Sequence, residues 1–251
     1  MAKFTSVSLA VAALTATLGA APGAARAQGN GDGFLFRKPV GALIVRSGFA
    51  SPMARGDIYS FLENQFTLNK GDFRSASLGA DLLVGVAPRV DLDFGVGVSG
   101  NRSNSEFRHF VGTDNLPIEQ TTSLTRVPLT AGARVYLAPK GRSIGQFAWI
   151  PIKVVPYVGA GGGMMWYRLH QGGDFIDFQT TDVFNDEFES SGWAPTAHGM
   201  AGVDYALTPR LALTGEARYT WAKTQLGTDY TGFDGIDLSE FGVTVGLNVR
   251  F

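Results

Sequence analysis

Along most of the chain apolar residues recur at every second position, the period of a β-strand with two unlike faces. The last segment is the clearest: Phe241, Val243, Val245, Leu247, Val249 and Phe251 alternate with Gly242, Thr244, Gly246, Asn248 and Arg250. Leu211, Leu213, Ala217, Tyr219 and Trp221 share one face, against Thr214, Glu216, Arg218 and Thr220 on the other. Val127, Leu129, Ala131, Ala133, Val135 and Leu137 alternate with Arg126, Thr130, Gly132, Arg134 and Tyr136. Leu92, Phe94, Val96 and Val98 do the same against Asp91, Asp93, Gly95, Gly97 and Ser99. Leu78, Ala80, Leu82, Val84 and Val86 face away from Asp81 and Gly85, and Ala201, Val203, Tyr205 and Leu207 face away from His198, Gly202 and Asp204. Residues 41–49 and 154–169 are apolar on both sides, and their faces stay unassigned. The pattern predicts eight strands, near residues 39–49, 75–87, 91–107, 121–138, 153–169, 193–207, 210–224 and 240–251, with no helical period of useful length. Each has at least the roughly 9 residues that a tilted strand needs to cross a bilayer, and the count is even.

The connections test the pattern independently. Ala87, Pro88 and Arg89 join the second and third strands, and Thr208, Pro209 and Arg210 the sixth and seventh, both as tight turns. Residues 50–74, 108–120, 170–192 and 225–239 are long polar links. Short and long links therefore alternate, as in an up-and-down meander whose short turns all lie at one end. Residues 139–152 should be short by this rule and are not; with Phe147, Trp149 and Ile150 they read as an elaborated turn at the short-turn end.

The first residues bear on compartment. Met1, Ala2 and Lys3 precede an apolar run over about residues 7–21, and Ala25, Arg26 and Ala27 form a small-x-small cleavage site. That layout predicts a secretory signal peptide over 1–27, removed after Ala27, and a single barrel domain over 28–251. The absence of cysteine excludes a disulfide framework and a lipid-anchored cysteine. Loss of Lys3 and Arg26 with the signal takes the net charge of −1 to −3, which does not point to nucleic acid as a partner.

Alternation alone does not say which face points outward. Three features favour lipid outside. The polar face is rich in glycine, serine and threonine rather than the lysine and glutamate of a water-exposed sheet. Tyr136, Trp149, Trp166, Tyr167, Trp193, Tyr205, Tyr219 and Trp221 gather near strand ends, where an interfacial girdle belongs. Phe251 lies on the apolar face of the last strand, and only a closed sheet leaves no backbone group unpaired in hydrocarbon. The predicted fold is all-β: an eight-stranded antiparallel up-and-down transmembrane β-barrel.

The terminal strand ending in Phe251, the two Pro-Arg turns and the run Pro156, Tyr157, Val158, Gly159, Ala160, Gly161, Gly162, Gly163 resemble the bacterial outer-membrane β-barrel superfamily that includes the small OmpA and OmpX types. The resemblance spans nearly all of residues 28–251. It implies a cell outer membrane location, outer-membrane lipid as surroundings, and an assembly signal at Phe241, Val243, Val245, Leu247, Val249 and Phe251 read by the outer-membrane assembly machinery. It implies no particular activity, because such folds host unrelated functions.

An eight-stranded lumen is filled by side chains. The inward set is predicted as Asp81, Asp93, Arg126, Arg134, Asp204, Glu216, Arg218 and Arg250, four acids and four bases forming a charge network that plugs the interior. A narrow channel for small solutes would use the same residues, with pairs that separate to let an ion through. A lipid-modifying enzyme is the remaining alternative: His198 is the only histidine within a strand, and no spacing ties Ser190 or Ser191 to it. Catalysis, a cofactor and a bound metal are not expected, and the barrel is read as a monomer. The third long link carries Asp174, Asp177, Asp182, Asp186, Glu187 and Glu189 without a base between Gln171 and Ser191, interleaved with Phe175, Phe178, Phe184 and Phe188. The fourth adds Asp229, Asp234 and Asp237 beside Tyr230 and Phe233. They read as a solvated acidic surface, or as a site for a divalent cation or a basic partner with the aromatics as anchors. A structural or surface-interaction role follows most directly.

Overall fold

A computed structural model describes residues 33–112, 115–145, 148–177, 180 and 182–251. The predicted signal peptide lies outside the described residues, as do Phe147 and Phe178. Eight long strands follow one another: β1 (Gly41–Pro52), β2 (Ser75–Ala87), β3 (Val90–Val111), β4 (Pro117–Tyr136), β5 (Val154–Ile176), β6 (Val183–Ala206), β7 (Leu211–Thr224) and β8 (Glu240–Arg250). Each pairs antiparallel with its neighbour in sequence, and β8 returns to β1 with Val249 opposite Leu43 and Val243 opposite Phe49. The sheet is thus a closed barrel, contained in a unit of residues 34–251. The seam is completed where the Val40 and Gly41 amides donate to the Phe251 carbonyl.

The side-chain period sets the two surfaces. Val245, Leu247, Val84, Phe94, Leu129, Val203 and Leu213 all stand exposed on the outer face, while Asp81, Asp93, Arg126 and Arg134 are fully buried inside. This is the inverse of a water-soluble barrel and matches an exterior solvated by hydrocarbon. The girdle is narrower than predicted. Trp166, Trp193, Tyr205, Tyr219 and Trp221 lie on outward positions of their strands, but Tyr136, Trp149 and Tyr167 are buried and belong to the interior. The β3–β4 ladder is interrupted at Gly97 and Val98 opposite Pro128 and Val127, where proline has no N–H to contribute, and again between Glu106 and Val111, where the register shifts.

The two tight turns stand where expected, and the Leu211 amide donates to the Thr208 hydroxyl at 3.0 Å within the second. Residues 137–153 contain a hairpin, Gly141–Ile144 with Ala148–Pro151, whose Trp149 also bridges to Leu35 under the barrel. At the opposite end two of the four predicted long links are mostly strand. β3 and β4 continue to Val111 and from Pro117, and β5 and β6 to Ile176 and from Val183. Beyond the bilayer both faces of a strand meet water, so the alternation that marks a strand fades while the hydrogen-bonded ladder runs on. The first link holds the helix α1 (Asp57–Gln65), which the sequence reading missed; nine residues carry too few turns for a period, although Ile58, Tyr59 and Leu62 share its buried side.

The face assignment has a depth signature. Val245→Arg, mid-strand on the lipid face of β8, should lower stability by about 2–4 kcal/mol, and Val249→Arg, near the end of β8, by about 0–1 kcal/mol. Urea unfolding in lipid vesicles followed by heat-modifiable gel migration measures both, and equal costs would contradict the assigned face.

Candidate functional site

The interior is layered. At mid-height three arginines face three carboxylates. Arg46 on β1 holds Asp81 on β2 through two donors, Nε to Oδ2 at 2.6 Å and Nη2 to Oδ1 at 3.2 Å. Arg134 on β4 reaches Asp93 at 2.8 Å and Glu216 at 3.2 Å, and its guanidinium lies 4.8 Å from the Tyr157 ring centre. Arg218 Nε donates to Glu216 Oε1 at 2.9 Å, and the Tyr157 hydroxyl donates to Oε2 at 2.8 Å. The three positive and three negative charges balance, which is the condition for burying ions in a low-dielectric wall. Glycines make the room. A Cβ on Gly95 would lie 2.5 Å from Asp81 Oδ1, and one on Gly202 2.5 Å from the Tyr157 hydroxyl.

Above this layer Arg126 Nη1 pairs with Glu240 at 2.6 Å and Nη2 donates to the Ser75 hydroxyl at 3.1 Å. An apolar cap then closes the end that carries α1. Ile58, Tyr59 and Leu62 pack with Phe66, Leu68 and Phe73 of the same link and with Leu124, Met165, Tyr167, Ala194 and Ala222 of the strands. The Tyr59 hydroxyl donates to the Asp237 carbonyl at 3.2 Å, and burial pushes its phenol pKa up.

Below the central layer Lys140 meets Asp91 at 2.5 Å, and the Tyr136 hydroxyl donates to the same carboxylate at 2.9 Å. Asp204 accepts from Thr214 at 2.7 Å and Asn248 at 3.5 Å, and Arg250 lies 5.9 Å from the Trp149 ring centre. The described cavities inside the wall measure about 30 Å³ at this mouth and about 40 Å³ beside Arg46, Arg218 and Glu240. Such volumes hold a few water molecules.

Of the eight predicted lumen residues, Asp81, Asp93, Arg134, Glu216 and Arg218 meet in one cluster. Arg126 stands above it, and Asp204 and Arg250 stand below, so the set is three layers rather than a single network. Arg46 and Glu240 were missed although a signal existed for both. Arg46 shares strand parity with Ala42 and Ile44, opposite Val45 and Phe49, and an arginine among lipid-facing residues would be unsolvated. Glu240 shares parity with Gly242 and Thr244 on the polar face. His198 is buried in the lumen, and Ser190 stands eight residues, roughly 26 Å, along the same strand. The Ser190 hydroxyl is 2.9 Å from the Tyr167 hydroxyl and accepts from the Gly227 amide at 2.8 Å, so no serine–histidine pair forms here.

The acidic segment is a rigid hairpin of β5 and β6. Arg168 pairs with Glu189 at 2.6 Å, Asn185 donates to Asp174 at 2.8 Å, and Asp229 of the last link accepts from the Glu189 amide at 3.0 Å. No group of three acidic or histidine residues among the described residues is arranged to hold a metal. The aromatics pack inward rather than standing as anchors. The Phe175 and Phe188 rings meet edge-on at 4.8 Å, Phe188 touches Tyr230, and Phe233 reaches Phe61 of α1. Phe184, 41 % exposed, is the outward exception among the three described phenylalanines of this segment.

The family model described as the outer membrane protein beta-barrel domain matches residues 10–251. Among solved structures the chain is similar in fold to Neisserial surface protein A, at 13 % identity over 84 % of this chain and 97 % of that one, with a TM-score of 0.47. It is also similar to the outer membrane protein OprG from Pseudomonas aeruginosa, at 14 % identity over 86 % and 99 %, TM-score 0.45. The attachment invasion locus protein Ail of Yersinia pestis matches at 12 % identity over 84 % and 99 %, TM-score 0.41. No curated protein sequence matches the chain significantly.

Truncating one member of the central cluster strands its partners. Arg134→Met should lower stability by about 3–5 kcal/mol by leaving Asp93 and Glu216 short of a counter-charge. Adding Asp93→Asn to Arg134→Met should restore part of that loss, read as the urea midpoint in lipid vesicles.

Proposed function

The chain belongs to the outer membrane protein beta-barrel domain family, and we propose that in the cell outer membrane it is a non-conducting barrel that displays a rigid acidic hairpin for surface interactions. The observation that carries this reading is the triple closure of the lumen. An apolar cap, a balanced layer of three arginines and three carboxylates, and the Trp149 hairpin lie one below another, with two water-sized cavities lined by lumen residues. A channel would require Arg46, Arg134 and Arg218 to leave their carboxylates within a wall where such separation is costly. An enzymatic role lacks a nucleophile beside a base at the serine and histidine considered, because Ser190 and His198 are far apart.

The supporting geometry for surface interaction is the long β5–β6 hairpin. Its acids Asp186 and Glu187 are exposed on a hydrogen-bonded ladder, a stiffer platform than a free loop, and Asp182 is exposed in the turn at its tip. The partner suited to it is cationic. In this reading the mature protein starts at Gln28 after removal of the signal peptide, is inserted by the outer-membrane assembly machinery through β8, and acts as a monomer.

Purified protein in planar bilayers should give no steady unitary conductance at moderate voltage; regular ohmic steps would replace this reading by a channel. Cells displaying the protein should adhere to polylysine-coated glass, and Asp182→Asn/Asp186→Asn/Glu187→Gln should reduce adhesion several-fold at low salt with the heat-modifiable form retained. Adhesion insensitive to these three changes would remove the hairpin from the role.

A further inference from the structure

We propose that the short-turn end of the barrel is a docking face for the peptide stems of the cell wall, which it holds by their carboxylates on Arg37, Lys38, Arg142 and Arg250. The inference rests on the outer-membrane location and is independent of the surface role of the acidic hairpin. In barrels of this membrane the short turns lie on the periplasmic side. Residues 33–41, 85–91, 137–154 and 204–211, which hold the tight turns and the Trp149 hairpin, therefore face the periplasm. Arg37, Lys38, Arg89, Arg142 and Lys153 are exposed there, while Asp91 and Asp204, the only side-chain carboxylates among the described residues of those segments, are buried.

The bases do not form a collar turned only toward the leaflet. Lys153 lies 5.5 Å from the ring centre of Tyr205 on the outer wall, but Lys38 lines the mouth of the lumen with Lys140, Trp149 and Arg250. Hairpin parity adds Arg142 to this floor. Paired residues share a face, and Trp149, paired with Ser143, is turned to the lumen; Arg142 and its partner Ile150 therefore stand on the opposite face, away from the barrel, together with Ile144. The floor is also fixed in place. The Leu35 and Trp149 amides each donate to the other's carbonyl, at 2.8 and 2.7 Å, and Lys140 holds Asp91. A link that only reversed the chain would need no such hairpin, as the two tight turns show.

The mouth is short of one negative charge. Lys38, Lys140 and Arg250 line the same cavity as Asp91 and Asp204, three bases to two acids. Lys140 is taken by Asp91, but Arg250, 7 % exposed, has no acceptor for its Nη1 among the described residues. The cavity of about 30 Å³ has room for roughly two oxygens, the two of a carboxylate, and is too small for the four of a lipid phosphate. Guanidinium and ammonium groups hold carboxylates by charge-assisted hydrogen bonds. The cell wall supplies what this face asks for: a fixed array of peptide carboxylates, free of phosphate, with alanine methyl groups to set against the exposed Phe36, Ile144 and Ile150.

Co-sedimentation with isolated cell walls tests this. The barrel in phosphatidylcholine nanodiscs should pellet with the walls at low salt, and Arg37→Gln/Lys38→Gln/Arg142→Gln should weaken the association roughly tenfold. Arg250→Gln should weaken it about threefold. Arg55→Gln/Arg74→Gln/Arg102→Gln removes the same charge from the opposite end and should leave sedimentation unchanged. Walls whose carboxylates have been amidated should not bind, and heat-modifiable migration checks that each variant is folded. Wild-type binding by the first variant or by Arg250→Gln, an equal loss in the charge-matched control, or binding to amidated walls would overturn the inference. So would loss of wild-type binding in phosphatidylglycerol nanodiscs, which would mark the leaflet headgroups as the occupant of this face.

Discussion

The structure depends on one constraint: at bilayer depth a backbone amide or carbonyl has no water to turn to. Every such group must therefore find its partner within the protein. The pairing of β8 with β1, completed by the Phe251 carbonyl and the Val40 and Gly41 amides, removes the two edges that an eight-stranded sheet would otherwise expose. Once the ring is closed, strand parity divides the side chains into a lipid set and a lumen set with nothing between. The outward Val245 and Phe94 and the inward Arg134 and Asp81 follow from that division.

Closure in turn sets the problem that the interior solves. A ring this small excludes bulk water but cannot be filled by aliphatic residues alone where the alternating positions are charged. The solution is balance: Arg46, Arg134 and Arg218 against Asp81, Asp93 and Glu216, with Tyr157 supplying another donor. Inward glycines such as Gly95 and Gly202 are part of the same solution, because bulky groups opposite them occupy the space a Cβ would need. The result is a stiff interior, in which opening a path would require several ion pairs to separate together.

The features that set this barrel apart lie where the bilayer ends. β5 and β6 run on as a ladder into water, and the aromatic contacts from Phe175 through Phe188, Tyr230 and Phe233 to Phe61 tie that hairpin to the last link and to α1. Burial and the neighbouring Asp229 and Glu189 raise the Tyr230 phenol pKa, consistent with a residue held inside this assembly.

The sequence by itself determined the number of strands, their order, the tight turns and the lipid-facing rows of six strands, because period two is a local property of those segments; residues 41–49 and 154–169, apolar on both sides, received their faces from the closed ring. It also placed Asp81, Asp93, Arg134, Glu216 and Arg218 on inward faces. Which of those charges meet was decided by the tertiary structure. Asp93 and Arg134 are 41 residues apart in the chain, and the cross-strand register that joins them is a property of the closed ring, not of either segment. The same holds for Arg126 with Glu240. The long ladders above the membrane and the helix α1 escaped the pattern for a related reason: in water neither face of a strand must be apolar, and nine helical residues acquire their buried side from the strands they cap. Local alternation therefore decided the wall, and three-dimensional closure decided what the wall contains and presents.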